Sequence, residues 1–146
     1  MSFLETRKSI ASDFDFIYSL HRQTLYTYVE QTWGHKEEFQ RNGMREDFDT
    51  LPFEIVCNQG EDIGAISVVD QENVLLINYL AIMPSHQRKG FGTQLLRKIS
   101  EQAAKREIPA RLSVIRINPA KAFYENFGFK VVGSDEHLFF MEWRSS

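Results

Sequence analysis

The sequence predicts an α/β fold of the mixed α+β kind, in a single domain over residues 1–146. Three observations predict it. The run Val74–Ile82 is apolar on both faces, as a buried central strand requires. Phe91, Leu95, Ile99 and Ala103 then recur every fourth residue, which marks a helix. Shorter strand-like runs bounded by Gly, Pro and Asn flank this pair. A chain of 146 residues suits one domain, and a composition 42% hydrophobic and 13% aromatic supplies its core.

The elements follow in order. Residues 2–8 read as a short strand. Ser12-Asp13-Phe14-Asp15 resembles a capping box with Asp in place of Glu. A helix over about 13–31 follows, with Phe16, Leu20, Gln23 and Thr27 three or four apart, and Gly34 breaks it. A second helix over about 35–47 carries Phe39, Gly43 and Met44 on one side. Residues 53–58 and 62–70 read as strands joined by the turn Asn58-Gln59-Gly60-Glu61. The strand 74–82 and the helix to about Arg106 come next, and Pro109 marks a loop. Strand 111–116 leads to a helix from Pro119 to Phe127, with Asn118 as N-cap and Gly128 as C-cap. Strands near 129–133 and 137–143 close the chain. The order is β-α-α-β-β-β-α-β-α-β-β.

Composition excludes several classes. No apolar run approaches the roughly 20 residues of a membrane span, and the N-terminus lacks a charged-then-apolar signal pattern. The single Cys57 excludes an internal disulfide, and its strand setting favours a buried thiol over a nucleophile. A reducing cytoplasm is the expected compartment. The net charge of −3 argues against non-specific nucleic-acid binding. The four histidines have no metal-binding spacing, so no metal is expected. Charge is uneven: residues 86–121 hold nine Lys/Arg against Glu101 and Glu107, a net of +7, whereas residues 1–50 carry −3. The basic stretch suits a polyanionic ligand.

That stretch holds the most informative motif, Gln87-Arg88-Lys89-Gly90-Phe91-Gly92-Thr93, placed between the central strand and the long helix. Glycines let backbone approach a ligand closely. A helix start offers unpaired N–H groups and a positive dipole end. With Arg88 and Lys89 this makes an anion site, most simply for phosphate. It is not a Walker loop, since no lysine separates Gly92 from Thr93. A dinucleotide fingerprint needs a small residue where Leu95 stands.

Gln87-x-x-Gly90-x-Gly92 resembles the Gln/Arg-x-x-Gly-x-Gly/Ala signature of the GNAT superfamily of N-acetyltransferases. Leu80-Ala81-Ile82 followed by Pro84 is similar to the family's preceding strand. Asn118-Pro119-Ala120-x-x-Phe123-Tyr124-Glu125-x-x-Gly128-Phe129 is similar to its second signature. The resemblance implies a mixed, mostly antiparallel sheet of about seven strands flanked by about four helices. It implies acetyl-CoA as cosubstrate and a primary amine as acceptor: a small amine, an amino acid or a peptide terminus. It also admits a homodimer, a CoA-binding regulatory module without turnover, and an acyl chain longer than acetyl.

The resemblance assigns roles residue by residue. Backbone groups of Leu80, Ala81 and Ile82 would pair with pantetheine where the central strand splays from its neighbour. Gln87 and the N–H groups from Arg88 through Lys89, Gly90, Phe91, Gly92 and Thr93 would hold the pyrophosphate, with glycines leaving room for it. Asn118 matches a cofactor-contacting asparagine, with N-capping as its rival role. Tyr124 matches the general acid for the leaving thiolate. Its rival role is packing, which its position off the Phe123/Phe127 face argues against. The family's usual glutamate base has no clear equivalent: positions 78 and 113 are Asn and Ser, leaving solvent, Glu30, His35 or Glu54. Glu30 and Trp33 are the expected acceptor-side residues, with helix packing as the alternative.

Overall fold

The computed structural model describes residues 4–146. Positions 2 and 3 of the expected first strand lie outside the described residues. The elements are β1 (Leu4–Lys8), α1 (Phe14–Thr24), α2 (Tyr26–Trp33), α3 (Glu37–Thr50), β2 (Glu54–Asn58), β3 (Glu61–Asp70), β4 (Leu75–Ile82), α4 (Phe91–Lys105), β5 (Ala110–Ile115), α5 (Ala120–Phe127), β6 (Lys130–Ser134) and β7 (Leu138–Trp143).

The strands form one sheet in the order β1-β2-β3-β4-β5-β7-β6. Its neighbours pair antiparallel except β4 and β5, which run parallel. A parallel pair needs a crossover, and α4 supplies it. The turn after β2 has Gln59 at φ 53° and Gly60 at φ 81°, the left-handed pair a tight hairpin demands.

Among the described residues five helices stand where about four were expected, because the expected helix over 13–31 breaks at Leu25. No Gly or Pro causes the break. The Thr24 hydroxyl donates to the Leu20 carbonyl at 2.7 Å, and Leu25 relaxes to φ −118°. Hydroxyl back-bonding of this kind bends helices. The face also differs from expectation. α1 buries Phe14, Ile17, Tyr18, Leu20 and His21, while Phe16 stays at the margin. In α3 the buried residues are Gln40 and Met44, and Phe39 is exposed. The start of α1 is fastened by Asp13, not Ser12: its carboxylate accepts the Ile10 N–H at 2.8 Å and both Arg7 terminal nitrogens at 2.9 Å.

Two cores lie on opposite faces of the sheet. One joins α4 and α5 to Ile77, Ile82, Leu112, Val114 and Met141. The other joins α1 and α3 to Phe53, Ile55, Tyr79 and Ala81. All four residues of the α4 repeat, Phe91, Leu95, Ile99 and Ala103, are buried. Each of the three larger ones contributes about 1.5–3 kcal/mol by leaving water.

β4 contributes to both cores, and its phase changes midway. Leu75 and Ile77 face the α4 core, whereas Tyr79 and Ala81 face the α1 core. The change occurs at Asn78, an extra residue: Ser67 pairs with Tyr79 and Val68 with Ile77, leaving Asn78 unpaired in a β-bulge.

Candidate functional site

β4 and β5 pair only at Leu75 with Ala110 and Leu76 with Arg111. Beyond Leu76 they part, while β3 stays on β4 through to Ile82 opposite Gly64. A wedge therefore opens toward the C-terminal end of β4. The Met83 N–H donates to the Ile63 carbonyl at 2.7 Å. Alternation from that bond turns the backbone of Ala81 toward β3 and that of Leu80 and Ile82 into the wedge. Of the three expected strand residues, Leu80 thus turns its backbone groups and Ile82 its N–H into the wedge, while the Ile82 carbonyl accepts from Gln87 Nε2 and the Ala81 backbone faces β3. Asn78 is exposed in this otherwise apolar strand, at the bulge.

The turn beyond β4 runs through a 3-10 turn, Pro84–His86, into α4. Arg88 at φ 64° and Gly90 at φ 84° bend the backbone so that successive N–H groups converge. The first bond of α4 runs from the Gln94 N–H to the Gly90 carbonyl. The N–H groups of Arg88 through Thr93 have no acceptor among the described residues. Neither Arg88 nor Lys89 has a carboxylate partner among them. This is a concave anion site of backbone donors at a helix start. Phe91 gives only its N–H, since its side chain is buried.

The two glycines differ in their surroundings within the protein. A Cβ on Gly90 would meet no protein atom within 4 Å, and its φ of 84° lies in the left-handed region that favours glycine. A Cβ on Gly92 would lie 2.9 Å from Phe123 Cζ, so this residue admits the ring of α5. Gln87 also has an internal partner: its Nε2 donates to the Ile82 carbonyl at 2.9 Å and ties the turn to the strand. Sequence reasoning missed Phe123 and the Gln87 brace. A glutamine five residues past the last strand residue is the only signal for the brace.

Tyr124 is the one buried residue of α5, with its ring 5.4 Å from Phe123 and edge-on to Phe129 at 5.9 Å. It therefore packs as well, contrary to the argument from its helical position. Its phenol has no hydrogen-bond partner among the described residues, and burial pushes it up to about 12. Asn118 Oδ1 accepts the Ala120 N–H at 2.9 Å, which is the capping role, and its NH2 has no acceptor among the described residues.

The acceptor-side candidates lie at the open end of the wedge. Just past β5, the Arg116 N–H donates to the His137 carbonyl at 2.9 Å. Trp33, at the end of α2, sits edge-on to the His137 ring at 5.4 Å and stacks on His35 at 6.2 Å. His35 in turn stacks on Phe39 at 4.0 Å. Trp33 and Phe39 are 38% and 61% exposed, so the platform faces solvent. The Glu30 carboxylate is held by Lys36 Nζ at 3.0 Å. Glu54 lies on β2, two strands from β4, bonded to the Thr6 hydroxyl. Cys57 is half-buried; burial first, then Asp62 at 3.3 Å, raises its thiol above the ordinary value. Among the described residues no helix is long and apolar enough to cross a membrane, and no cluster of His, Cys, Asp and Glu is placed to hold a metal.

A sheet wedged open between two parallel strands, beside a turn of free N–H groups, defines a class. The sequence profile of the acetyltransferase (GNAT) domain matches residues 52–131, and the chain belongs to that family. Solved structures agree in fold. The PaiA N-acetyltransferase of Thermoplasma acidophilum, in complex with coenzyme A, has a TM-score of 0.75 at 23% identity, over 98% of this chain and 99% of that one. PH1933 of Pyrococcus horikoshii OT3 has 0.78 at 21%, over 100% and 99%. The ribosomal-protein-S18-alanine N-acetyltransferase of Escherichia coli has 0.70 at 16%, over 99% and 95%. No curated protein matches the chain by sequence.

Proposed function

We propose that the protein transfers the acetyl group of acetyl-CoA to a primary amine: a small amine, an amino acid or a peptide terminus. The observation that carries this reading is the wedge between β4 and β5, open beside the free N–H groups of Arg88–Thr93. An extended amide-bearing arm fits the backbone of Leu80 and the N–H of Ile82, and a pyrophosphate fits the turn. Arg88 and Lys89 add charge, Thr93 a hydroxyl, and Asn118 an amide donor. Coenzyme A in the PaiA structure supports the ligand.

The chemistry follows from those positions. The amine lone pair attacks the thioester carbon, and charge builds on its oxygen. The Ile82 N–H, turned into the wedge, is a donor for that oxygen. The C–S bond then breaks, and the thiolate takes a proton. Tyr124, with its proton unshared and held to about 12, is the candidate donor. The cytoplasm, where such a thioester substrate meets free amines, is the expected compartment.

The competing reading is a CoA-binding module without turnover, favoured by the absence of any carboxylate or histidine on β4 and β5. Mixing acetyl-CoA with a panel of amines and following thiol release separates the two. Amine-dependent release supports the transferase; tight CoA binding without release supports the module. Longer acyl-CoA donors in the same assay fix the chain length.

A further inference from the structure

We infer that the acceptor is a weakly basic amine, an α-amino group or an arylamine, rather than a lysine side chain or an alkyl polyamine; this rests on the transferase reading. An amine attacks only through a free lone pair. Either the protein removes the ammonium proton or the acceptor arrives neutral.

The groups facing the wedge decide between these. β4 carries one ionisable side chain, Tyr79, and β5 carries one, Arg111. The Tyr79 phenol is buried without a hydrogen-bond partner among the described residues, and burial raises it above its ordinary value. It is no base at neutral pH. Arg111 Nε donates to Glu142 on β7 at 2.7 Å, and Arg144 Nε donates to the same carboxylate at 2.6 Å. Burial pushes Glu142 up, but these two bonds outweigh it and hold the carboxyl below its ordinary value. On α2, Glu30 is paired with Lys36. On α1, His21 is buried against Gln40 at 2.7 Å, and burial lowers its affinity for a proton; on α3, Asp47 lines the same cavity as His21, and burial first, then Glu46, raises its carboxyl above the ordinary value. Tyr124 on α5 is protonated. His35 and His137 stand at the outer mouth, against Trp33.

The exposed polar groups on the two strands are then Asn78 and Ser113, together with Arg111. An amide and a hydroxyl orient an amine by hydrogen bonds but do not take its proton. At pH 7 an α-amino group of pKa about 7.7–8.0 is roughly 10–17% neutral, while a lysine of about 10.4 is neutral in roughly 0.04% of molecules. The difference is a few hundred-fold in reactive amine. The reaction balances without a protein base: the lone pair forms the C–N bond, the C–S bond breaks, the nitrogen releases its proton to solvent, and the thiolate is protonated.

The test is kcat/KM against pH for alanine amide, p-toluidine and Nα-acetyllysine amide, with acetyl-CoA saturating. Alanine amide should outpace the lysine derivative by at least about 100-fold at pH 7, and p-toluidine should also react. The rising limb, on which the acceptor loses its proton, should move with each acceptor's own pKa. A limb at one fixed pH for all acceptors, with the lysine derivative as fast as alanine amide, overturns the inference; its loss in His35→Gln or His137→Gln would identify the base. Calorimetric CoA binding with no thiol release from any acceptor overturns the transferase reading itself, and this inference with it.

Discussion

Gly92 and Phe123 pack so closely that a Cβ at position 92 would lie 2.9 Å from the ring. α4 and α5 therefore meet over a glycine at the helix start that also offers free N–H groups. Gly92→Ala should destabilise the protein by about 1–3 kcal/mol, the usual range for overpacking. At about this size each kcal/mol lowers Tm by roughly 2–4 °C. Adding Phe123→Leu should recover most of the loss. An unchanged melting curve in the single variant would show that the ring moves aside freely.

Gly90 poses the complementary case. It has open space around it but φ 84°. Gly90→Ala should cost about 1–2 kcal/mol through backbone strain. Gly90→Glu carries the same strain and adds a carboxylate to the anion site. Calorimetry should show CoA binding weakened modestly by Ala and abolished by Glu. Wild-type affinity in a folded Gly90→Glu variant would remove the turn from the cofactor site.

Most of the frame was legible in the residues. Apolar faces on both sides marked β4 as central, a period of four marked α4, and the glycine-bearing turn lay between them. Three features were not legible, each for a tertiary reason. The break at Leu25 depends on a hydroxyl back-bond, with no Gly or Pro to announce it. The bulge at Asn78 is hidden because both faces of β4 are apolar, so a phase change leaves the pattern intact. The packing of Gly92 depends on an aromatic ring thirty-one residues onward, which a Gly-x-Gly motif does not announce.

Tyr124→Phe isolates the phenol from the ring. The ring contacts with Phe123 and Phe129 survive the change, and no hydrogen bond is lost among the described residues. Stability and CoA affinity should hold. Turnover should fall by about 10²–10⁴-fold, the usual contribution of a general acid. Unchanged turnover with a productive acceptor would leave Tyr124 a packing residue.

Asp13 ties β1 to α1 through Arg7. Its bond with Arg7, then that with the Ile10 N–H, holds its carboxyl below the ordinary value against the opposing effect of burial. The sign follows from linkage: stabilisation is present above the unfolded carboxylate pKa of about 3.9 and is lost as pH falls through the lower folded value. Asp13→Asn should lower Tm at pH 7, and its gap from wild type should close as pH drops toward about 2. A gap independent of pH would assign the effect to shape, not charge.

Trp33 and Glu30 end α2 together but are held differently. Trp33 presents an exposed indole against His137, whose carbonyl is fastened to Arg116 just past β5. That places the indole where an acceptor would enter the wedge. Stacking on such a face is worth about 0.5–1.5 kcal/mol, roughly two- to twelve-fold in affinity. Trp33→Leu should raise the acceptor KM by that factor and leave the acetyl-CoA KM unchanged. Glu30 spends its carboxylate on Lys36 at 3.0 Å, an exposed pair of little energetic weight. Glu30→Gln should therefore shift the acceptor KM less than Trp33→Leu does, and Lys36→Gln should free the carboxylate to accept a hydrogen bond from the acceptor N–H and lower its KM. The rival is that both residues only join α2 to α3. In that case Tm would fall in both variants and the two KM values would stay in proportion. Measuring Tm and both KM values for the three variants, with the same acceptor, separates an entrance from a joint.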